Sequence, residues 1–191
     1  MIIHEYKTIF IHIPKNAGTS IKHYFSDNVE EPFKHRTIYD IKKQYPDLYK
    51  NYKKFAIVRN PYDRMVSWYS YLTGYYIGNS NLNIVKEGKI VGVKKADING
   101  FQEWIKDMDS LWMNRKHLLN CQNTWVDNSV EILKYENLEN DLSNFFNIEI
   151  KLQKKNKSSI YDYLKYLNKE IISIINKKYD KDFKKFNYKK L

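Results

Sequence analysis

Cysteine is nearly absent from this chain. Cys121 is the one cysteine in 191 residues, which excludes an intramolecular disulfide. Long apolar runs are absent too. No stretch approaches the roughly 18 apolar residues of a membrane span, and the opening residues, MIIHEYK, hold no apolar signal core. The expectation is a soluble, cytoplasmic protein without a membrane span. Paired cysteines and a His-x-x-x-His spacing are missing, so no metal site is expected. No internal repeat or linker is visible, and the length fits a single domain over 1–191 with a substantial core.

A hydrophobic fraction of 42% and an aromatic fraction of 16% indicate a folded globule, while a mean hydropathy of -0.69 indicates a very polar surface. The formal charge of +11 and pI near 9.4 call for an anionic partner. Nucleic acid, a membrane surface, a polyanionic glycan and a highly charged nucleotide all satisfy that condition, so charge alone does not choose. The abundance of Lys, Asn, Ile and Tyr also fits an A+T-rich genome, which weakens any argument from charge.

The most informative stretch is Thr8 to Phe25, TIFIHIPKNAGTSIKHYF. Ile9 to Ile13 has the length and β-branched content of a buried strand, and Pro14 stops it. Ile21, Tyr24 and Phe25 then fall at i, i+3 and i+4, one face of a helix. A strand, a tight loop and a helix N-terminus together favour a bound anion, and Lys15 adds a full positive charge. The loop lacks the Gly-Lys-Ser/Thr ending of the usual phosphate loop. Lys15 instead directly follows the strand and precedes Gly18 by three residues.

A second such unit follows. Phe55 to Val58 reads as a buried strand ending in Arg59, Asn60 and Pro61, with Asn60 suited to cap a helix and Pro61 to begin it. That helix is expected to run to about Thr73, with Tyr62, Met65, Val66, Tyr69 and Leu72 inward. Two strand-to-helix turns side by side imply an α/β fold, a parallel sheet flanked by helices with ligands at the carboxyl ends of its strands. Elsewhere, Ile38 to Tyr45 reads as a helix ended by Pro46, and Ser26 to Arg36 as a connection. Glu87-Gly88 suits the turn of a hairpin between Ile84-Val85 and Ile90-Val93. Phe101 to Ile105, Leu111 to Leu119, Asn137 to Phe146 and the C-terminal segment read as helical, and Val130 to Leu133 as a strand. The region 74–116 otherwise lacks sustained periodicity.

HIPKNAGTSI resembles the sulfate-donor loop of the carbohydrate sulfotransferases, the family of the heparan and chondroitin enzymes, and VRNPYDRMVSWY resembles that family's segment for the donor's 3'-phosphate. The resemblance implies a fold akin to the phosphate-loop nucleotide kinases. It also implies 3'-phosphoadenosine 5'-phosphosulfate (PAPS) as co-substrate and its product PAP. Lys15 would act in catalysis and donor binding; Asn16, Ala17, Gly18, Thr19 and Ser20 would hold the 5'-phosphate, and Arg59 and Ser67 the 3'-phosphate. His35, in FKHRT, matches the histidine that deprotonates the acceptor hydroxyl, with His12 as a rival on position alone. Lys157 and Ser158, in KNKSS, resemble a basic loop that closes over the nucleotide. Tyr-Glu-Asn-Leu at 135–138 and Gln122 upstream are similar to a later family segment. Asn16 stands where the family often has threonine.

The resemblance implies sulfuryl transfer to a hydroxyl, with a glycan or glycoconjugate acceptor. Region 74–116 is poorly covered and is expected to set acceptor choice. Trp68, Trp104, Trp112 and Trp125 suit sugar platforms or core packing. Read without the resemblance, Arg59 also fits an ion pair with Asp63. The same residues also leave open a nucleotide-dependent kinase or a basic nucleic-acid-binding protein.

Overall fold

The computed structural model describes residues 1–26, 29–32, 35–77, 85–86, 89–90, 98–111, 119–152 and 162–191. In chain order the strands are β1 (Ile2–Ile3), β2 (Thr8–Ile11), β3 (Val29–Glu30), β4 (Lys53–Val58), β5 (Val85–Lys86), β6 (Lys89–Ile90) and β7 (Glu131–Lys134). The α-helices are α1 (Gly18–Tyr24), α2 (Ile38–Gln44), α3 (Pro46–Asn51), α4 (Pro61–Ile77), α5 (Ile98–Leu111), α6 (Leu138–Phe146), α7 (Lys169–Lys178) and α8 (Asp180–Lys185). The chain forms two compact units, one of Met1–Asn60 with Cys121–Asn156 and one of Pro61–Asn120 with Lys157–Leu191.

The first unit holds a five-stranded sheet in the order β3-β1-β2-β4-β7. β2, β4 and β7 run parallel, with Phe10 opposite Phe55 and Ile57 opposite Leu133. β1 and β3 pair antiparallel at the β2 edge, so the sheet is mixed where the sequence suggested a parallel one. The added strands are two residues each, too short to leave a period-2 pattern. Phe55 to Val58 are completely buried, as a strand between two parallel neighbours requires. Phe10 and Phe55 stack at 4.9 Å, and Ile21, Phe25, Leu142 and Phe146 complete that core.

Two details of the helices differ from the sequence reading. Tyr24 is exposed while Ile21 and Phe25 are buried, because α1 is short and only the i, i+4 pair reaches the core; Tyr24 lies edge-on to Phe25 at 4.9 Å. Pro46 does more than stop α2, because it occupies the first turn of α3, where its missing N–H costs nothing. Thr37 caps α2 through a reciprocal bond pair with Asp40, a capping box with Asp in place of the usual Glu.

In the second unit α4 begins at Pro61, as expected, and runs to Ile77. Tyr62, Met65, Val66 and Tyr69 are buried; the side chain of Leu72 lies outside the described residues. Tyr69 packs on Phe101 and Trp104 of α5, and the Tyr179 hydroxyl donates to the Leu119 carbonyl at 2.9 Å. Val85 pairs with Ile90 and Lys86 with Lys89 in the expected hairpin; Glu87 and Gly88 lie outside the described residues. Of the two helical stretches read at 101–119, the first is contained in α5, which starts earlier, and the second meets it only at Leu111. Residues 112–118 lie outside the described residues. None of the described helices is long and apolar enough to cross a membrane.

Candidate active site

Three parallel strands deliver their C-terminal residues to one edge of the sheet. β2 leads into His12 to Ser20, β4 into Arg59 and Asn60, and β7 into the 3-10 turn Tyr135–Asn137. β2 ends at Ile11, so His12 stands just beyond the strand and not inside it. The loop alternates hand, with positive φ at Lys15 (69°) and Ala17 (61°). Such alternation turns successive backbone N–H groups toward one side, the geometry that receives an anion. Left-handed backbone at a non-glycine residue costs about 1 kcal/mol or more, so the surrounding packing holds this loop in place.

That packing centres on His12. Its ring stacks on Phe10 at 5.6 Å and leans on the His35 ring at 4.4 Å. Its edge fills the space where Gly18 would carry a β-carbon, with Nε2 1.8 Å from that position. Gly18 is therefore required by close approach. His35 Nδ1 lies 3.1 Å from the His12 carbonyl oxygen. A carbonyl only accepts, so Nδ1 carries the proton and, in the neutral ring, Nε2 carries the lone pair. His35 also has positive φ, 57°, which orients the ring from a turn.

The cations come next. Arg59 is buried, donates from Nη1 to the Lys15 carbonyl oxygen at 3.2 Å, and lies 4.0 Å from the centre of the Tyr135 ring. Burial pushes the Lys15 amine down to about 8, and the nearby Arg59 charge pushes in the same direction. Two positive charges held close in a partly dry site oppose one another until an anion arrives.

One carboxamide links the Arg59 backbone to the loop that carries Lys15. Gln122, fully buried, accepts from the Arg59 N–H at 2.9 Å and donates to the Arg59 carbonyl at 2.8 Å. Its Oε1 also accepts from Asn16 Nδ2 at 2.7 Å, and Asn16 Nδ2 donates again to the Ile57 carbonyl at 2.7 Å. Glu136 accepts from the Asn60 N–H at 2.7 Å. Asn16 is completely buried, so its side chain braces the loop. Its Oδ1 is buried without a hydrogen-bond partner among the described residues, an acceptor left for a water or a ligand donor.

The first unit thus brings together Lys15, Asn16, Ala17, Gly18, His35 and Arg59. Thr19 is exposed; the Ser20 N–H is already bonded to the Ala17 carbonyl at 2.9 Å, which leaves the Ser20 hydroxyl as its contribution. Ser67 is buried on α4 in the second unit. Lys157, Ser158 and Trp112 lie outside the described residues. No group of three metal-ligating side chains occurs among the described residues. A hollow lined by Lys53, Lys54, Ser129, Glu131 and Phe145 sits where β4 and β7 begin, at the opposite edge of the sheet.

A family model described as the sulfotransferase family matches residues 1–189. The chain belongs to the sulfotransferase family. No curated protein and no solved structure matches it. As a family member this sulfotransferase is a transferase of sulfuryl groups, and its α/β fold with a largely parallel central sheet agrees with that assignment. Three residues with clear geometric roles received none from the sequence: Gln122, Tyr135 and Glu136. Their only signal was the similarity of the segments that contain them.

Proposed function

We propose that this sulfotransferase moves the sulfuryl group of PAPS to a hydroxyl of a carbohydrate acceptor. The observation that carries the donor is the pairing of Lys15 and Arg59, two cations brought together across a loop whose amides share a direction. A nucleotide with phosphates at two positions offers each cation its own anion.

In this mechanism the acceptor oxygen forms a bond to sulfur as the bond from sulfur to the phosphate oxygen breaks, in line. The acceptor proton passes to His35 Nε2, and the electron pair of the broken bond leaves with PAP. Lys15 stabilises charge growing on the departing oxygen, while Arg59 holds the 3'-phosphate with Ser67 as its proposed second contact. Positioning and charge stabilisation supply most of the rate, as in phosphoryl transfer. The carbohydrate acceptor rests on the resemblance of the two motifs to the glycan enzymes and on the net positive charge of +11, with region 74–116 proposed to select it. A cytoplasmic location and a role for Lys157 and Ser158 in covering the nucleotide belong to the same proposal.

Calorimetric titration with PAP, adenosine 5'-phosphate as control and EDTA present, tests the donor. Tight PAP binding with a large preference over the control is the expected result. Failure to bind either nucleotide removes PAPS from the reading.

A further inference from the structure

The geometry points to Gln122 as a positioning residue that sets the distance between the two donor-phosphate subsites and so gives the site its preference for a 3',5'-bisphosphate. This rests on the PAPS reading. The buried carboxamide makes three hydrogen bonds to two neighbours. It grips both sides of Arg59, N–H and carbonyl, and it accepts from Asn16 in the donor loop. Arg59 cannot slide along its strand direction without breaking two bonds, and the loop that carries Lys15 is tied to the same atom.

The Arg59 guanidinium is then aimed by Tyr135 below it and the Lys15 carbonyl beside it. Gln122 touches neither phosphate in this account. It acts by holding the arginine and the lysine loop at one separation, which a bisphosphate can span and a monophosphate does not sense.

Gln122→Met keeps the volume and removes all three bonds. It is titrated with PAP and with adenosine 5'-phosphate beside the unaltered protein and Arg59→Ala. PAP affinity is expected to fall about tenfold to a hundredfold, the scale of one or two lost bonds to a charged group. Adenosine 5'-phosphate should change by less than about threefold, since a monophosphate uses one subsite. A role confined to stability would instead lower the melting temperature and leave the ratio of the two affinities intact, and that result overturns the proposal if Arg59→Ala loses the ratio. Unchanged PAP binding in Arg59→Ala overturns the donor reading itself, and the role of Gln122 with it.

Should Gln122→Met fail to melt cooperatively, amide exchange in the unaltered, nucleotide-free protein decides. Protection of the Arg59 N–H comparable to the amides of β4 supports a clamp set before the donor binds. Exchange of Arg59 at exposed-loop rates overturns it.

Discussion

A β-carbon on Gly18 would stand 1.8 Å from Nε2 of His12. Gly18→Ala is therefore expected to cost about 2 kcal/mol or more, the upper part of the range for overpacking a filled site. The double variant His12→Ala/Gly18→Ala should recover a large part of that loss, because the added methyl takes the space the imidazole leaves. Urea melts of both singles and the double give the coupling. Additive losses would mean the two residues do not share that space.

Lys15 gives donor binding a pH signature. Its amine lies near 8 in the free protein, against about 10.4 in an unfolded chain. Bound phosphates stabilise the charged form and raise it again. Donor binding should therefore take up a proton between about pH 8 and the higher bound value, and affinity should fall as pH rises through that window. Below about pH 7 the amine is charged in both states and contributes no slope. Calorimetry of PAP binding at pH 8.5 in buffers of different ionisation enthalpy measures the uptake, and its persistence in Lys15→Met would assign it elsewhere.

The same pKa also bears on folding. A lysine with a folded value below its unfolded one destabilises the fold fully below pH 8, and the penalty is relieved as pH rises from about 8 toward 10.4. Lys15→Met should be more stable than the parent at pH 7, with the advantage shrinking across that range. Denaturant midpoints at pH 7 and 9.5 test this, and a constant difference would contradict it.

Tyr135 supports the Arg59 guanidinium from 4.0 Å. Tyr135→Leu should weaken PAP binding by about threefold to thirtyfold, the range of a partly desolvated cation-π contact. Arg59→Lys should do worse, since an ammonium neither forks onto a phosphate nor stacks. Equal PAP affinity in parent and Tyr135→Leu would show that the ring is only packing.

For the chemical step, His35→Ala should lower turnover by about 10² to 10⁴ with PAP affinity retained. Single-turnover assays with PAPS and a responsive glycan acceptor provide the measurement. Normal turnover would exclude His35 as the base and direct attention to His12, which leans on it at 4.4 Å.

The second unit offers a purely structural test. Tyr179→Phe removes the donor to the Leu119 carbonyl and leaves a buried acceptor behind, at a cost of about 1–3 kcal/mol. A neutral substitution would imply that water enters to replace the hydroxyl.

The sequence made the two strand-to-loop turns readable because each joins a β-branched or apolar run to an abrupt change of period, with Pro14 and Pro61 as punctuation. Lys15 was legible as the charged residue of the first loop, whereas a role for Arg59 came only with the resemblance of its segment. Gln122 was opaque for a physical reason: its role depends on partners at Asn16 and Arg59 far away in the chain, and a lone glutamine carries no local pattern. His12 misled for the opposite reason. Its place in an apolar run suggested a strand interior, yet β2 ends before it and its ring shapes the loop. The short strands β1 and β3 escaped because pairs of residues have no period to detect.

The bonds that tie together the proposed donor site join residues far apart in sequence. Asn16 to Ile57 spans 41 positions, Arg59 to Gln122 spans 63, and Asn16 to Gln122 spans 106. Closing such loops carries an entropic cost that local contacts do not, and contacts of this kind slow the search for the native state. A chain emerging from the ribosome can pair β2 with β4 well before residue 122 exists, but its two cations stay at an unset separation until then. On the proposed reading, competence to hold the donor is accordingly acquired only once residue 122 has joined the fold, so a chain lacking that contact competes poorly for the nucleotide.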